Sequence, residues 1–158
     1  MPTSTTPRRR AETTNKPCEA IVAAFWEFCS KQNSLMEAER LLQIKEGLSA
    51  HLVHAVRDTF DLQKGTLETL FNASYSTLER FRRRQKPLDP VASERLDRIA
   101  VVCLLAEDIF ESRAATVRWM STPNKALGGS TPVSLCVTEI GAKQACRVLH
   151  ALESGGGG

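Results

Sequence analysis

Residues 66–86 read TLETLFNASYSTLERFRRRQK, and the reading of this stretch decides the fold. Over residues 66–71, Leu67, Leu70 and Phe71 recur at a spacing that puts all three on one face of a short helix. Asn72-Ala73-Ser74 has the composition of a tight turn. Ser76-Thr77-Leu78-Glu79 then has the form of a capping box: Ser76 accepts from the Glu79 backbone, and the Glu79 carboxylate reaches back to Ser76. The helix it opens is expected to continue to Lys86 and stop before Pro87, since the residue preceding a proline is pushed out of the helical region. Two short helices joined by a tight turn, the second one basic, match a helix-turn-helix.

Helical spacing divides that second helix. Leu78, Phe81 and Gln85 share a face, and the first two pin it to a core. Thr77, Arg80 and Arg84 lie together on another, with Ser76 and Arg83 beside them. Ser74, Tyr75, Ser76 and Thr77 cluster at the N-terminus, where a recognition helix reads base edges. Arg80, Arg82, Arg83, Arg84 and Lys86 follow, suited to phosphates. A solvated basic face has the same pattern, so spacing alone leaves DNA contact and plain solvation both open.

The rest of the chain is helical in both directions from this motif. Upstream, Ile21, Val22, Phe25, Trp26 and Cys29 form one apolar stripe. A second helix is expected over residues 35–46, with Leu35, Ala38, Leu41 and Leu42 inward and Gly47 as its stop. Ser49 is expected to cap a third, carrying Leu52, Val53, Val56 and Phe60. Downstream, Ser93 is read as the start of a longer helix with Leu96, Ile99, Ala100, Cys103, Ala106 and Phe110 on its buried stripe. Ser112 caps another, containing Ala115, Val117, Trp119 and Met120 and ended by Pro123. No alternating strand pattern occurs. The expected class is all-α.

Composition fits a globular chain. Its 158 residues suit one domain or two small helical ones, and 42% hydrophobic content suffices for a core. No apolar run approaches the roughly 20 residues that span a bilayer. The opening MPTSTTPRRRAETTNKP has no apolar segment behind its bases, which argues against a secretory signal and for the cytoplasm. Residues 1–17 lack periodicity and are expected to form a disordered basic tail. Net charge is +3, but the run from Glu79 to Lys86 holds five bases against one acid. Bases concentrated on a mildly acidic body suggest an anionic partner for part of the surface. Cys18, Cys29, Cys103, Cys136 and Cys146 form an odd set without CxxC spacing and read as free thiols.

Nothing in the sequence composes an active site. His51 and His54 stand at i,i+3, yet no third ligand has a recognisable spacing, so they read as surface or packing histidines, as does His150. Glu107 and Asp108 are adjacent and point in different directions on a helix. The glycine pair in TPNKALGGSTPVSLCVTEIGA (residues 122–142) lacks the strand and the Lys-Ser/Thr of a phosphate loop. Gly128 and Gly129 instead suit a turn. Thr131 and Pro132 suit the start of one helical turn. Thr138 caps a last helix carrying Ala142, Ala145, Val148, Leu149 and Leu152, with Glu139 at its positive end. No cofactor and no metal are expected.

Three stretches together resemble the MbcA/ParS/Xre family of type II antitoxins. They are YSTLERFRRRQKPL, SERLDRIAVV and AATVRWMSTPNKALGGSTPVSLCVTEIGAKQACRVLHALESG, and the resemblance covers residues 49–155. It departs from the family where Ser76 replaces an arginine common in relatives, where Ser134 replaces an acidic residue, and where Lys86-Pro87 replaces a glycine-containing turn. Joined to the reading of the residues above, it gives an expected division into a tail at 1–17, a helical domain with the helix-turn-helix at 18–90, a small helical toxin-binding domain at 91–153 and a flexible end at 154–158. It also implies a homodimer, autorepression at operator DNA, and a RES-domain toxin partner that consumes NAD⁺, which is the toxin's substrate and not a cofactor of this chain. Carried onto this sequence, the toxin-binding surface is built or lined by Asn124, Leu127, Gly128, Pro132, Leu135, Thr138, Glu139, Gly141 and Ala142, with Ser154 and Gly155 at the mouth of the toxin's pocket. The helix-turn-helix equally suits a stand-alone transcriptional regulator whose C-terminal domain dimerises or senses a ligand.

Overall fold

The computed structural model describes residues 16–155. Among these residues the regular elements are helical: α1 (Lys16–Ser34), α2 (Glu37–Glu46), α3 (His51–Phe60), α4 (Lys64–Phe71), α5 (Tyr75–Arg83), α6 (Pro90–Phe110), α7 (Arg113–Ser121), α8 (Pro132–Leu135) and α9 (Glu139–Gly155). A 3₁₀ turn at Lys125–Leu127 links α7 to α8, and a lone bridge joins Ser49 to Pro87. The all-α reading holds.

The spine is α6. It buries Leu96, Ile99, Ala100, Val102, Cys103 and Ala106, which face several directions, and α1, α2, α4, α7 and α9 all pack on it. A helix apolar on more than one side is wrapped by its neighbours. The N-terminal helices and the C-terminal ones therefore share one hydrophobic core. On α1, Phe25, Trp26 and Cys29 are buried as the stripe requires, and Phe25 meets Phe60 of α3 edge-on at 5.5 Å. Burial pushes the Cys29 and Cys136 thiols up to about 12 and the Cys103 thiol well above its ordinary value, so all three are inert packing groups.

The polar residues of SERLDRIAVV explain why α6 can be central. Ser93 accepts from the Leu48 N–H (2.9 Å), and Arg95 donates to the last carbonyls of α4, Thr69 and Leu70 (3.3 Å each). Asp97 accepts from Gln32 of α1 (2.7 Å) and from both Nε (3.0 Å) and Nη2 (2.6 Å) of Arg40 on α2. Arg98 donates to the Cys136 carbonyl at the end of α8 (2.9 Å). Each side chain satisfies a backbone or buried group on a different neighbour, as close packing around a helix demands.

Several expectations are corrected. Ser93 does not open α6: Asp89 caps it, accepting from Ala92 N–H (2.8 Å), and Pro90 takes the first turn, where its missing N–H is harmless. The α2 helix has no buried residue, and Leu41 (66% exposed) and Leu42 (55% exposed) point outward, because Arg40 turns the opposite side toward Asp97. Phe110 is only half-buried, tilted against Trp119. At α3 the N-cap is Ala50, and the Ser49 hydroxyl accepts from the His51 N–H (3.3 Å). The expected tail lies outside the described residues up to residue 15, while Lys16 and Pro17 already belong to α1. At the other end α9 runs helical to Gly155, so Ser154 and Gly155 form its last turn.

Candidate functional site

The helix-turn-helix is built by α4 and α5. Leu67, Leu70 and Phe71 of α4 are buried, Asn72 ends the helix in the left-handed conformation, and the chain reverses through Ala73 and Ser74. The expected capping box at Ser76 does not form. Ser74 is the N-cap instead, accepting from the Thr77 N–H (3.2 Å), and the Tyr75 N–H is taken by the Glu68 carboxylate (2.9 Å). Glu79 never reaches back along the backbone because three side chains claim it. It accepts from Tyr75 Oη (3.1 Å) and Arg82 (2.9 Å) and lies 3.4 Å from His54 Nε2 on α3. The hydrogen bond from Arg82 chiefly holds the Glu79 carboxyl below its usual range, whereas burial holds the His54 imidazole below its own.

This clasp sorts the sequence-predicted DNA residues. Tyr75 is half-buried: its hydroxyl accepts from Arg57 (2.5 Å), and Arg57 and Lys64 sit over its ring at 5.0 and 4.7 Å. Tyr75 thus ties α5 to α3 through Arg57, and Arg82 pairs with Glu79 on α5 while its side chain stays 36% exposed. Ser74 and Ser76 are exposed at the helix start, Thr77 half-buried, and Arg80, Arg83, Arg84 and Lys86 exposed. α5 also ends earlier than expected. Arg84 is its C-cap, Gln85 adopts φ 53°, and the Lys86 N–H returns to the Phe81 carbonyl (2.9 Å), closing a left-handed helix end before Pro87. Arg57 and Lys64 extend the basic surface from α3 and α4. Sequence reading missed them because they stand 18 and 11 residues before Tyr75 and meet it only in the fold.

The second surface is made by the segment after α7. Gly128 (φ 66°) and Gly129 (φ 85°) form the left-handed turn, and Asn124 organises it by accepting from the Ala126 N–H (2.9 Å). Thr131 caps α8, and Thr138 caps α9 by accepting from the Gly141 N–H (2.9 Å). At Gly141 a Cβ would overlap the Leu135 carbonyl oxygen, so α9 crosses the end of α8 at a distance only glycine allows. Leu127, Pro132, Gly141 and Ala142 are buried and build the surface from beneath. Thr138, Glu139, Gly128, Ser154 and Gly155 are exposed, and Asn124 and Leu135 half-buried. Two large apolar residues absent from the sequence-predicted set stand outward on α9: Ile140 (71% exposed) and Leu152 (46% exposed). Ile140 could have been found from the sequence, since it falls off the Ala142, Ala145, Leu149 stripe. Among the described residues no group of three or more His, Cys, Asp or Glu side chains is placed to hold a metal ion, and no helix is long and apolar enough to cross a membrane.

Fold and surfaces define a helix-turn-helix protein whose C-terminal helices share its core and present a second face. Residues 39–101 match the antitoxin Xre-like helix-turn-helix domain, and residues 105–155 match the antitoxin Xre/MbcA/ParS C-terminal toxin-binding domain. The chain is 32% identical over 113 residues to an antitoxin Xre of Yersinia enterocolitica, covering 71% of this chain and 76% of that protein. It is also 32% identical over 74 residues to an antitoxin Xre of Pseudomonas putida, covering 47% of this chain and 46% of that one. The chain belongs to the Xre/MbcA/ParS family of antitoxins. It carries that family's helix-turn-helix and toxin-binding domains, joined through α6.

Proposed function

We propose that this antitoxin acts in the cytoplasm as a homodimer. It neutralises a RES-domain toxin by obstructing the pocket where that toxin consumes NAD⁺, and it represses its own operon through α5. The RES partner is what the family resemblance of TPNKALGGSTPVSLCVTEIGA implies, and the geometry of α9 supports the steric mechanism. Leu149 is the last buried residue of that helix, so the turn and a half beyond it projects from the body with Leu152, Ser154 and Gly155 exposed. That projection is the observation that carries the reading. A helical end suits insertion into a pocket, because part of its backbone is already ordered before binding. Ile140, Thr138 and Glu139 at the other end of α9 offer an apolar contact with a polar rim, the usual anatomy of an interface.

The test is a truncation after Leu149, co-expressed with the RES-domain product of the adjacent gene. The shortened chain should remain folded, because residues 150–155 are all exposed, and should fail to suppress NAD⁺ loss. Full neutralisation by the truncated chain refutes the obstruction. For the DNA face, the double substitution Arg80→Ala/Arg84→Ala should weaken operator binding. It should also lower the salt slope by about one for each phosphate the variant no longer neutralises. Unchanged affinity and slope would remove α5 from the operator complex.

A further inference from the structure

A pocket of about 360 Å³ opens between the start of α3 and the end of α5. Three bases line it, His51, Arg82 and Lys86, with the Ser49 hydroxyl and the Gln85 amide beside them and no carboxylate. Elsewhere this chain mixes its charges: Lys31 pairs with Glu27, Arg98 with Glu94 and Lys143 with Glu139. Among the described residues His51 and Lys86 take part in no ion pair. Arg82 gives Nη2 to Glu79 (2.9 Å), but its Nε is buried with no protein partner. A buried donor without an acceptor costs stability, and an anion is the strongest acceptor a cation can meet. The helix field has the same sign. His51 is the first residue of the ten-residue α3, whose first turn holds no acidic residue to balance its positive end. The carbonyls at the end of α5, which would repel an anion, are already taken: Phe81 O accepts from the Lys86 N–H (2.9 Å) and Arg82 O from the Gln85 N–H (3.2 Å). Gln85 makes that turn at φ 53°, where glycine would be unstrained, and glycine would lack the amide that lines the pocket. The Phe81 ring forms part of the wall and holds the Lys86 ammonium 6.0 Å from its centre.

We propose that this pocket binds a phosphoryl group. Its donors come from two walls, Ser49 and His51 on α3's side and Arg82, Gln85 and Lys86 on α5's. A phosphoryl group spreads three acceptor oxygens in space and can meet both walls at once, whereas a carboxylate holds two in one plane. The double charge of a phosphoryl group also suits a site with several bases and no acid. The volume lies at the small end of the roughly 300–1,000 Å³ of ligand pockets. It therefore fits the phosphoryl end of a small molecule or a single backbone phosphate of DNA, and both sources meet the same donors. The site needs neither the toxin nor a particular operator sequence.

The test is a proton–nitrogen NMR titration of the full chain with inorganic pyrophosphate and, separately, with a short DNA duplex of unrelated sequence. Sodium chloride holds the ionic strength constant in both, because duplex binding falls steeply with salt, and sodium chloride alone is the blank. The His51, Gln85 and Lys86 amide signals should shift and saturate with at least one probe and not with the blank. Saturation with pyrophosphate identifies a free phosphorylated molecule as the source; saturation with the duplex alone identifies the DNA backbone. His51→Gln and Lys86→Gln each change an exposed side chain outside any ion pair, so the fold should survive, as circular dichroism checks. Each should weaken the saturating probe roughly tenfold, the size of one lost charge-assisted contact. Lys125→Gln removes the same charge from an exposed position outside the lining and should leave affinity within about twofold. Saturation by neither probe, an affinity unchanged in either pocket variant, or an equal loss in Lys125→Gln would each overturn the proposal.

Discussion

Asp97 is the position where a single carboxylate holds three helices, so its removal has a predictable size. Replacing Asp97 with alanine deletes the acceptor of the Gln32 amide and both acceptors of the Arg40 guanidinium. Gln32 is 3% exposed and its Oε1 already lacks a protein partner, so its N–H₂ group loses its bond at a buried position. An orphaned buried donor costs about 1–3 kcal/mol. The Arg40 side chain is 26% exposed and can turn toward solvent. Breaking this pair should therefore cost about 1–2 kcal/mol, below the roughly 3–5 kcal/mol expected where both charges are sealed. Together these come to about 3 kcal/mol, a large part of the roughly 5–15 kcal/mol that stabilises an ordinary domain. Urea unfolding followed by circular dichroism measures it, and the melting temperature should fall by roughly 6–12 °C. A double-mutant cycle with Arg40→Ala should give a coupling of about 1–2 kcal/mol. A loss below about 1 kcal/mol for Asp97→Ala, or additivity with Arg40→Ala, would show that this carboxylate does not tie α2 and α1 to α6.

Three further outcomes follow from the same geometry. Gln85→Gly should stabilise the chain by about 1 kcal/mol in a thermal melt, because Gln85 holds a left-handed conformation that glycine adopts without strain. Gly141→Ala should cost about 1–3 kcal/mol by forcing α8 and α9 apart, and should weaken toxin neutralisation in co-expression more than the melt alone accounts for. Burial lowers the folded-state pKa of His54 from 6.5, so the unfolded chain binds a proton that the folded chain resists. Stability is then complete above about pH 6.5 and declines as pH falls below it, and His54→Gln should flatten that slope in urea melts across the window.

What the sequence determined by itself is local. Helix positions came from apolar spacing, and the caps at Ser112, Thr131 and Thr138 came from short side chains three residues ahead of an N–H they reach without help from the rest of the fold. The buried stripe of α6 and the turn at Gly128-Gly129 were legible for the same reason. The tertiary structure decided every case in which a group had two partners to choose from. Glu79 had a local partner in the Ser76 N–H, and it took Tyr75, Arg82 and His54, because a carboxylate beside a guanidinium gains more than one capping a neutral N–H. With that choice the α5 cap is Ser74, and Tyr75 and Arg82 both bond the Glu79 carboxylate. α2 was decided likewise. Its leucines predicted an inward side, but burying the Arg40–Asp97 pair fixed the rotation of the helix and turned Leu41 and Leu42 outward. Periodicity reports which residues share a face; only the neighbours in space decide which face is inside.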